Sequence, residues 1–225
     1  DLTSIDGRTA LVMEYLEAVD LRFLIKAMEA RGTMIPVRVC LELVAQVSGA
    51  LDAAYNRPPM PGDKPLRVIH RDIKPSNIMV DESGLPKVLD FGVAQSEIET
   101  REANTQELQF GSVEYMAPER LFFEPETPAS DVYSLGASLF EILCLESLGK
   151  ARGRPERHEA HLADRLSFMR SRTSIQGTTA TEIELLLKES LEFEHENRPT
   201  AAEFYQRCRA LARLIDGEDL SSWAE

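Results

Sequence analysis

Apolar positions recur along the chain with two different periods, and the switches between them mark out the elements. Residues 9–16 (TALVMEYL) form a short apolar run behind the turn pair Asp6-Gly7 and predict a strand. Residues 21–31 are helix-like and stop at Gly32. From Pro36, which suits a first helical turn, Val37, Cys40, Leu41, Val44, Val47, Leu51 and Tyr55 return at three- and four-residue steps, the pattern of a helix with one buried face. Residues 57–66 carry four prolines and a glycine and predict a surface loop. Between 68 and 91, short β-like pieces (Ile78-Met79-Val80 and Val88-Leu89) alternate with polar turns. Residues 96–109 are polar without usable period and read as a mobile loop. Residues 132–145 are apolar nearly all round, the mark of a helix buried on every side. Three more helices are predicted at 162–169, 183–191 and 201–214, the last opened by a capping box of Thr200 with Glu203. Residues 216–225 read as an acidic, frayed tail.

Composition narrows the class. The 225 residues are 43% hydrophobic and 28% charged, enough for a substantial core and unlike a disordered tail, a collagen-like fibre or a disulfide-stapled miniprotein. No run reaches the roughly 18 apolar residues of a membrane span; the longest, 132–145, is broken by Ser134, Ser138 and Glu141. Direct membrane insertion is not expected, and a cytoplasmic segment is, with any membrane anchor of the parent chain lying elsewhere. Twenty-five Lys and Arg against 38 Asp and Glu leave a net charge of −13. Such a surface repels phosphate backbones and anionic lipid, so nucleic acid is a poor partner. Cys40, Cys144 and Cys208 are an odd number, far apart in apolar helical patterns, and read as buried reduced thiols.

The chemistry concentrates in residues 68–81, VIHRDIKPSNIMVD. An Asp followed two residues later by Lys and five later by Asn puts three polar tips in one tight loop. Eighteen residues beyond Asp72 comes Asp90-Phe91-Gly92. Two carboxylates and an amide between short strands, with a lysine alongside, suit phosphoryl transfer. Oxygen ligands hold magnesium, one carboxylate accepts a hydroxyl proton, and the lysine offsets charge on the moving group.

His70-Arg71-Asp72-Ile73-Lys74-Pro75-Ser76-Asn77, then Asp90-Phe91-Gly92, then Ala117-Pro118-Glu119 closely resemble the signature set of eukaryotic-like, bacterial-type serine/threonine protein kinases. The resemblance covers nearly the whole chain. It implies a mainly α fold with short β-strands, the large C-terminal lobe of a kinase domain with the small N-terminal lobe largely absent. Residues 1–19 would be the last strand of the small lobe and the hinge, 20–215 the large lobe, and 216–225 the acidic tail.

By this resemblance Asp72 is the catalytic base, Lys74 the phosphate-facing lysine, and Asn77 and Asp90 the magnesium ligands, with ATP as phosphoryl donor and manganese as an alternative metal. Lys74 is similar to the serine/threonine subclass, and the Pro-rich insert before His70 to bacterial members. Glu119 and Arg198 are expected as a buried ion pair, the alternative being a surface pair. Asp131 is expected to hold the backbone of the His70-Arg71 turn, the alternative being a plain helix-start carboxylate. His70 would pack near Phe91 as a structural residue. Met13 would guard the back pocket, Glu14 and Leu16 offer backbone groups to adenine, Asp20 lie near the ribose and Met79 form the adenine floor; the apolar members could equally be core packing. Arg71 before Asp72 marks the class switched by loop phosphorylation. Thr105 is the first candidate acceptor and Thr100 the second, while Ser112 would touch Asp72 and Lys74. For His158 and His161 an exposed helix face is preferred to a metal site. A solvated face is likewise preferred for the arginines between 152 and 172.

The family's Gly-rich loop, strand lysine and helix glutamate do not stand in this sequence; its first lysine is Lys26, past the hinge. The implied function is transfer of the ATP γ-phosphate to Ser or Thr hydroxyls of protein substrates, with the isolated segment inactive until its missing small lobe completes it. Alternatives are a pseudokinase-like interaction module or a small-molecule kinase of similar fold.

Overall fold

The computed structural model describes residues 2–5, 8–91 and 112–225. It is mainly helical with short strands. β1 (Leu2–Ile5) and β2 (Arg8–Leu11) pair antiparallel, with Leu2 opposite Leu11. The predicted strand over 9–16 therefore ends early, at Leu11, and residues 12–17 run as irregular chain. A second sheet has the order β3 (Ala18–Asp20), β4 (Ile78–Asp81), β5 (Pro86–Val88), all antiparallel, with Asp20 opposite Met79 and Ile78 opposite Val88.

α1 (Leu21–Arg31) starts where the Asp20 carboxylate accepts from the amide of Phe23 at 2.8 Å and stops at Gly32, whose φ of 65° is the left-handed cap that glycine adopts without strain. α2 (Val37–Asn56) begins one residue after Pro36 and buries the periodic face read from the sequence. Further along the chain are α3 (Pro118–Leu121), α4 (Pro128–Cys144), α5 (Pro155–Arg172), α6 (Gly177–Ser190), α7 (Ala201–Ala212) and α8 (Leu220–Ala224). The box at the head of α7 is formed, with Glu203 N donating to Thr200 Oγ1 at 3.2 Å and Thr200 N to Glu203 Oε2 at 2.8 Å.

α4 is the axis of the core. Every residue from Ser130 to Cys144 is buried, against α2 on one side and α5, α6 and α7 on the others. A helix closed in all round has no water to satisfy polar side chains, so Ser134 and Ser138 donate back to the carbonyls of Ser130 and Ser134, and Ser134 also reaches Tyr115 O at 2.7 Å. Glu141 accepts from the Tyr115 hydroxyl, and burial pushes its carboxyl above the usual carboxylate range. Where α4 crosses α6, a Cβ on Gly136 would lie 2.5 Å from Ser190 Oγ, so only glycine allows this approach. All three cysteines are free and buried.

The C-terminal residues are not frayed. Leu220 is buried, its amide donates to Glu42 Oε2 at 2.7 Å, and Arg38 donates to Gly217 O at 2.9 Å. Gly84, at φ 77°, lies so close beneath that a Cβ there would meet Leu220 O at 2.7 Å. The apolar pair Leu220 and Trp223 docks the end of the chain despite the acidic residues around it. Among the described residues no helix is long and apolar enough to cross a membrane.

Candidate active site

The loop from His70 to Asn77 is held from below by α4. Asp131, in the first turn of that helix, accepts from the amides of His70 at 2.7 Å and Arg71 at 2.8 Å. Burial raises its carboxyl, and the two amides oppose that shift. Arg71 has φ 74°, a left-handed conformation that costs an L residue roughly 1–2 kcal/mol and persists only where the surroundings impose it.

Asp72 follows that turn, its side chain 43% exposed towards the cleft. Lys74 Nζ donates to Asp72 Oδ2 at 2.6 Å, and Asn77 Nδ2 donates to the same oxygen and to Asp72 O, both at 2.8 Å. Asn77 sits on a short 3-10 turn, Pro75–Asn77, started by a buried proline. With its amide nitrogen committed to Asp72, Asn77 keeps Oδ1 as an oxygen donor. His70 is buried; Nδ1 accepts from the Asp72 amide at 3.2 Å, so Nε2 carries the proton and donates to Leu89 O at 2.7 Å. Both ring nitrogens are occupied, which leaves the ring unsuited to act as a base.

Leu89 ties the second carboxylate to this loop. Its amide donates to Asn77 O at 2.9 Å while its carbonyl receives His70, so Asp90 emerges directly beyond two anchors on the 70–77 loop. Asp90 is exposed at φ 57°, and Phe91 packs edge-on against His70 with ring centroids 4.8 Å apart. Among the described residues no hydrogen bond joins the Asp90 side chain to Asp72 or Asn77. The donor set, an asparagine oxygen and an exposed carboxylate, fits a hard divalent cation.

Beneath the site, Arg198 meets Glu119 in a two-pronged pair, Nη1 to Oε1 and Nη2 to Oε2, both 2.8 Å, with side chains 0% and 3% exposed. That exposure rules out the surface-pair alternative. Arg198 also donates to the carbonyls of Glu192, Phe193 and Ala129, and Ser130 donates to Glu119 Oε1 at 2.7 Å. Burial alone would raise the Glu119 carboxyl, but Arg198 and Ser130 outweigh it and hold it below its ordinary range.

On the hinge side, Glu14, Leu16 and Met79 line one groove of about 340 Å³ together with Ala18 and Lys87. Lys87 reaches across to Glu14 Oε1 at 2.6 Å. Asp20 lies at the head of α1, where its carboxylate is the helix cap. Met13 and Tyr15 are exposed rather than packed into a core.

One expectation requires correction. His158 is buried, not on an exposed face: Nδ1 accepts from the Arg152 amide at 3.3 Å and Nε2 donates to Leu191 O at 2.8 Å. His161 is half-buried against Leu148 O, and no metal-ligating cluster occurs among the described residues. Of the arginines between 152 and 172 all but Arg165 are exposed, as a solvated face requires. Arg165 stacks on Phe140 and Phe168 and donates to Ser147 O, and Arg170 pairs with Glu184. Arg71, expected as a partner for a phosphate, pairs here with Glu126 at 2.7 Å, a partner with no signal in the sequence. Gly92, Thr100 and Thr105 lie outside the described residues, as does the side chain of Ser112.

Comparison with known proteins gives the family and the fold. The family described as Protein kinase domain matches residues 2–208. The serine/threonine-protein kinase PknB of Mycolicibacterium smegmatis is 36% identical over 134 residues, covering 59% of this chain and 19% of that protein. PrkC of Bacillus subtilis is 36% identical over 143 residues, covering 64% and 20%. The chain thus spans about a fifth of the length of the curated relatives it matches. The crystal structure of a double mutant of the PknI kinase domain of Mycobacterium tuberculosis superposes with a TM-score of 0.63 over 94% of this chain and 69% of that one, at 20% identity, a likeness of fold.

Proposed function

Because the chain belongs to the protein kinase domain family, we propose that it carries the phosphoryl-transfer half of a serine/threonine protein kinase. The hydroxyl oxygen of a Ser or Thr substrate attacks the γ-phosphorus of ATP, the bond to the β-bridging oxygen breaks, ADP leaves, and the hydroxyl proton passes to Asp72. Asp72 is the catalytic base, and Lys74 beside it offsets charge on the transferring group. Asn77 Oδ1 and Asp90 would hold magnesium, which when bound neutralises phosphate charge. Backbone groups of Glu14 and Leu16 face adenine, Met79 floors it and Asp20 lies near the ribose. Phosphate on Thr105, or secondarily Thr100, would act through Arg71, and Ser112 belongs to the substrate platform.

The observation that carries this reading is the convergence of Lys74 Nζ and Asn77 Nδ2 on one oxygen of Asp72, 2.6 and 2.8 Å away. A binding scaffold has no need of that arrangement. Positioning supplies most of phosphoryl-transfer catalysis, so the 225 residues alone, with one wall of the nucleotide cleft, should turn over little or nothing until a small lobe covers the phosphates. The test is ATP- and magnesium-dependent phosphorylation of protein Ser/Thr by the full-length protein. Asp72→Ala should lower turnover by about 10²–10⁴-fold with the fold intact by circular dichroism. Normal turnover in that variant removes Asp72 from the role of base.

A further inference from the structure

Two charged residues beside the catalytic loop have no part in the chemistry above: Arg120, within α3, and Glu126, on the segment leading into α4. The Glu126 carboxylate stands between two guanidinium groups, with Oε2 2.7 Å from Arg71 Nε and Oε1 2.8 Å from Arg120 Nε. Arg120 Nη1 in turn donates to the carbonyl oxygen of Arg71. Arg120 and Glu126 are mostly shielded, with side chains 12% and 19% exposed, so solvent screens these attractions less than at an open surface.

Arg71 is thereby held at its amide, at its carbonyl and, through an ion pair, at its side chain. Its amide is bound by Asp131, its carbonyl by Arg120 and its side chain by Glu126. The division of labour follows from which peptide plane each contact touches. Asp131 binds the amides of His70 and Arg71, upstream of the left-handed residue. The carbonyl of Arg71 belongs to the next plane, the one that ends in the Asp72 amide. Apart from Arg120, the hydrogen bond recorded on that plane is the 3.2 Å contact from the Asp72 amide to His70 Nδ1. Rotation of the plane would swing the Asp72 side chain with it.

We propose that Arg120 and Glu126 are positioning residues for phosphoryl transfer, a clasp that fixes the peptide between Arg71 and Asp72 and so aims the Asp72 carboxylate. The inference rests on the reading of Asp72 as proton acceptor. Glu126 supplies from within the fold a negative partner for Arg71, so the turn is formed before any phosphate reaches the preceding loop. A loop phosphate would meet an arginine already paired.

The test uses the full-length protein after phosphatase treatment, with ATP, magnesium and a mixed Ser/Thr peptide library. Arg120→Ala and Glu126→Gln should each lower kcat by about 10- to 100-fold, the loss a small misplacement of a reacting group produces. The KM for ATP should stay within about threefold, since ground-state nucleotide binding is not the interaction removed. Arg120→Lys and Glu126→Asp should recover part of the loss. Hydrogen exchange of residues 70–77 should quicken in the first two variants. Unchanged kcat, or a fall that merely tracks the lost folded fraction, overturns the clasp. If the wild-type protein itself transfers no phosphate, the kinase reading fails, and exchange alone decides: faster exchange at 70–77 supports the clasp, unchanged exchange overturns it.

Discussion

The two sides of the cleft differ in how many bonds hold each residue. On the side of residues 70–77, Asp72, His70, Asp131, Glu119 and Arg198 each make two or more hydrogen bonds, drawn from four separate parts of the chain. On the hinge side, Met13 is 67% and Tyr15 86% exposed, and the ion pair across the groove, Glu14 with Lys87, is open to water. The first side is over-determined by buried polar contacts, which are costly to break because a stranded group has no water to turn to. The second is open to water and carries few polar contacts. Preorganisation by hydrogen bonds is thus a property of the first surface and not of the second.

That contrast can be broken in a graded way. Arg198→Ala should have the largest effect on stability. It leaves the Glu119 carboxylate buried without its cation and should cost roughly 3–5 kcal/mol, read as a lowered urea midpoint; a loss under about 1 kcal/mol would put the pair in the class of surface ion pairs. Gly136→Ala should cost about 1–3 kcal/mol by overpacking the crossing of α4 and α6. In a Ser190→Ala background the clash with Ser190 Oγ is removed, so the same change should cost less; an equal cost in both backgrounds would locate the strain elsewhere.

A smaller, pH-dependent effect is expected at His158. Burial lowers its pKa in the folded protein below the ordinary 6.5, and the Arg152 amide aimed at Nδ1 opposes a second proton. In the window beneath the ordinary value the unfolded chain binds more protons than the folded one. Stability should therefore fall as pH drops through about 6.5 and level off below the folded-state pKa. His158→Gln should flatten that limb of a pH series of denaturation midpoints; an unchanged slope would show that His158 takes no part. The smallest effect is on the open wall. Tyr15→Ser should change stability by no more than about 0.5 kcal/mol, as expected of an exposed side chain, and a large loss would mean that this side is also structurally committed.

Much of the site was legible because its parts are close in sequence. Asp72, Lys74 and Asn77 fall within six consecutive positions, so a single turn suffices to converge them, and the roles proposed for them come from the family resemblance. The periodic helices were legible for a similar reason: a buried face repeats locally whatever it packs against. The misread elements are those whose state depends on a distant partner. His158 looked like a surface residue because its i,i+3 neighbour pattern is polar, yet Leu191 and Arg152 enclose it. The tail looked frayed because acidic residues dominate it, yet two apolar side chains and Glu42, 178 residues away, hold it down.

The sequence alone determined the periodic helices, the largely apolar central helix and the polar groups gathered in residues 70–77, together with a family resemblance carried by its motifs. The helices follow from local periodicity, and the expected roles from that resemblance. Tertiary structure decided which oxygen of Asp72 receives Lys74 and Asn77, that Asp131 reaches back 61 residues to the loop, and that Arg71 is already matched by Glu126. Such pairings depend on where helices and loops come to rest against one another. The close packing of the whole core sets that arrangement, and no short stretch of residues encodes it.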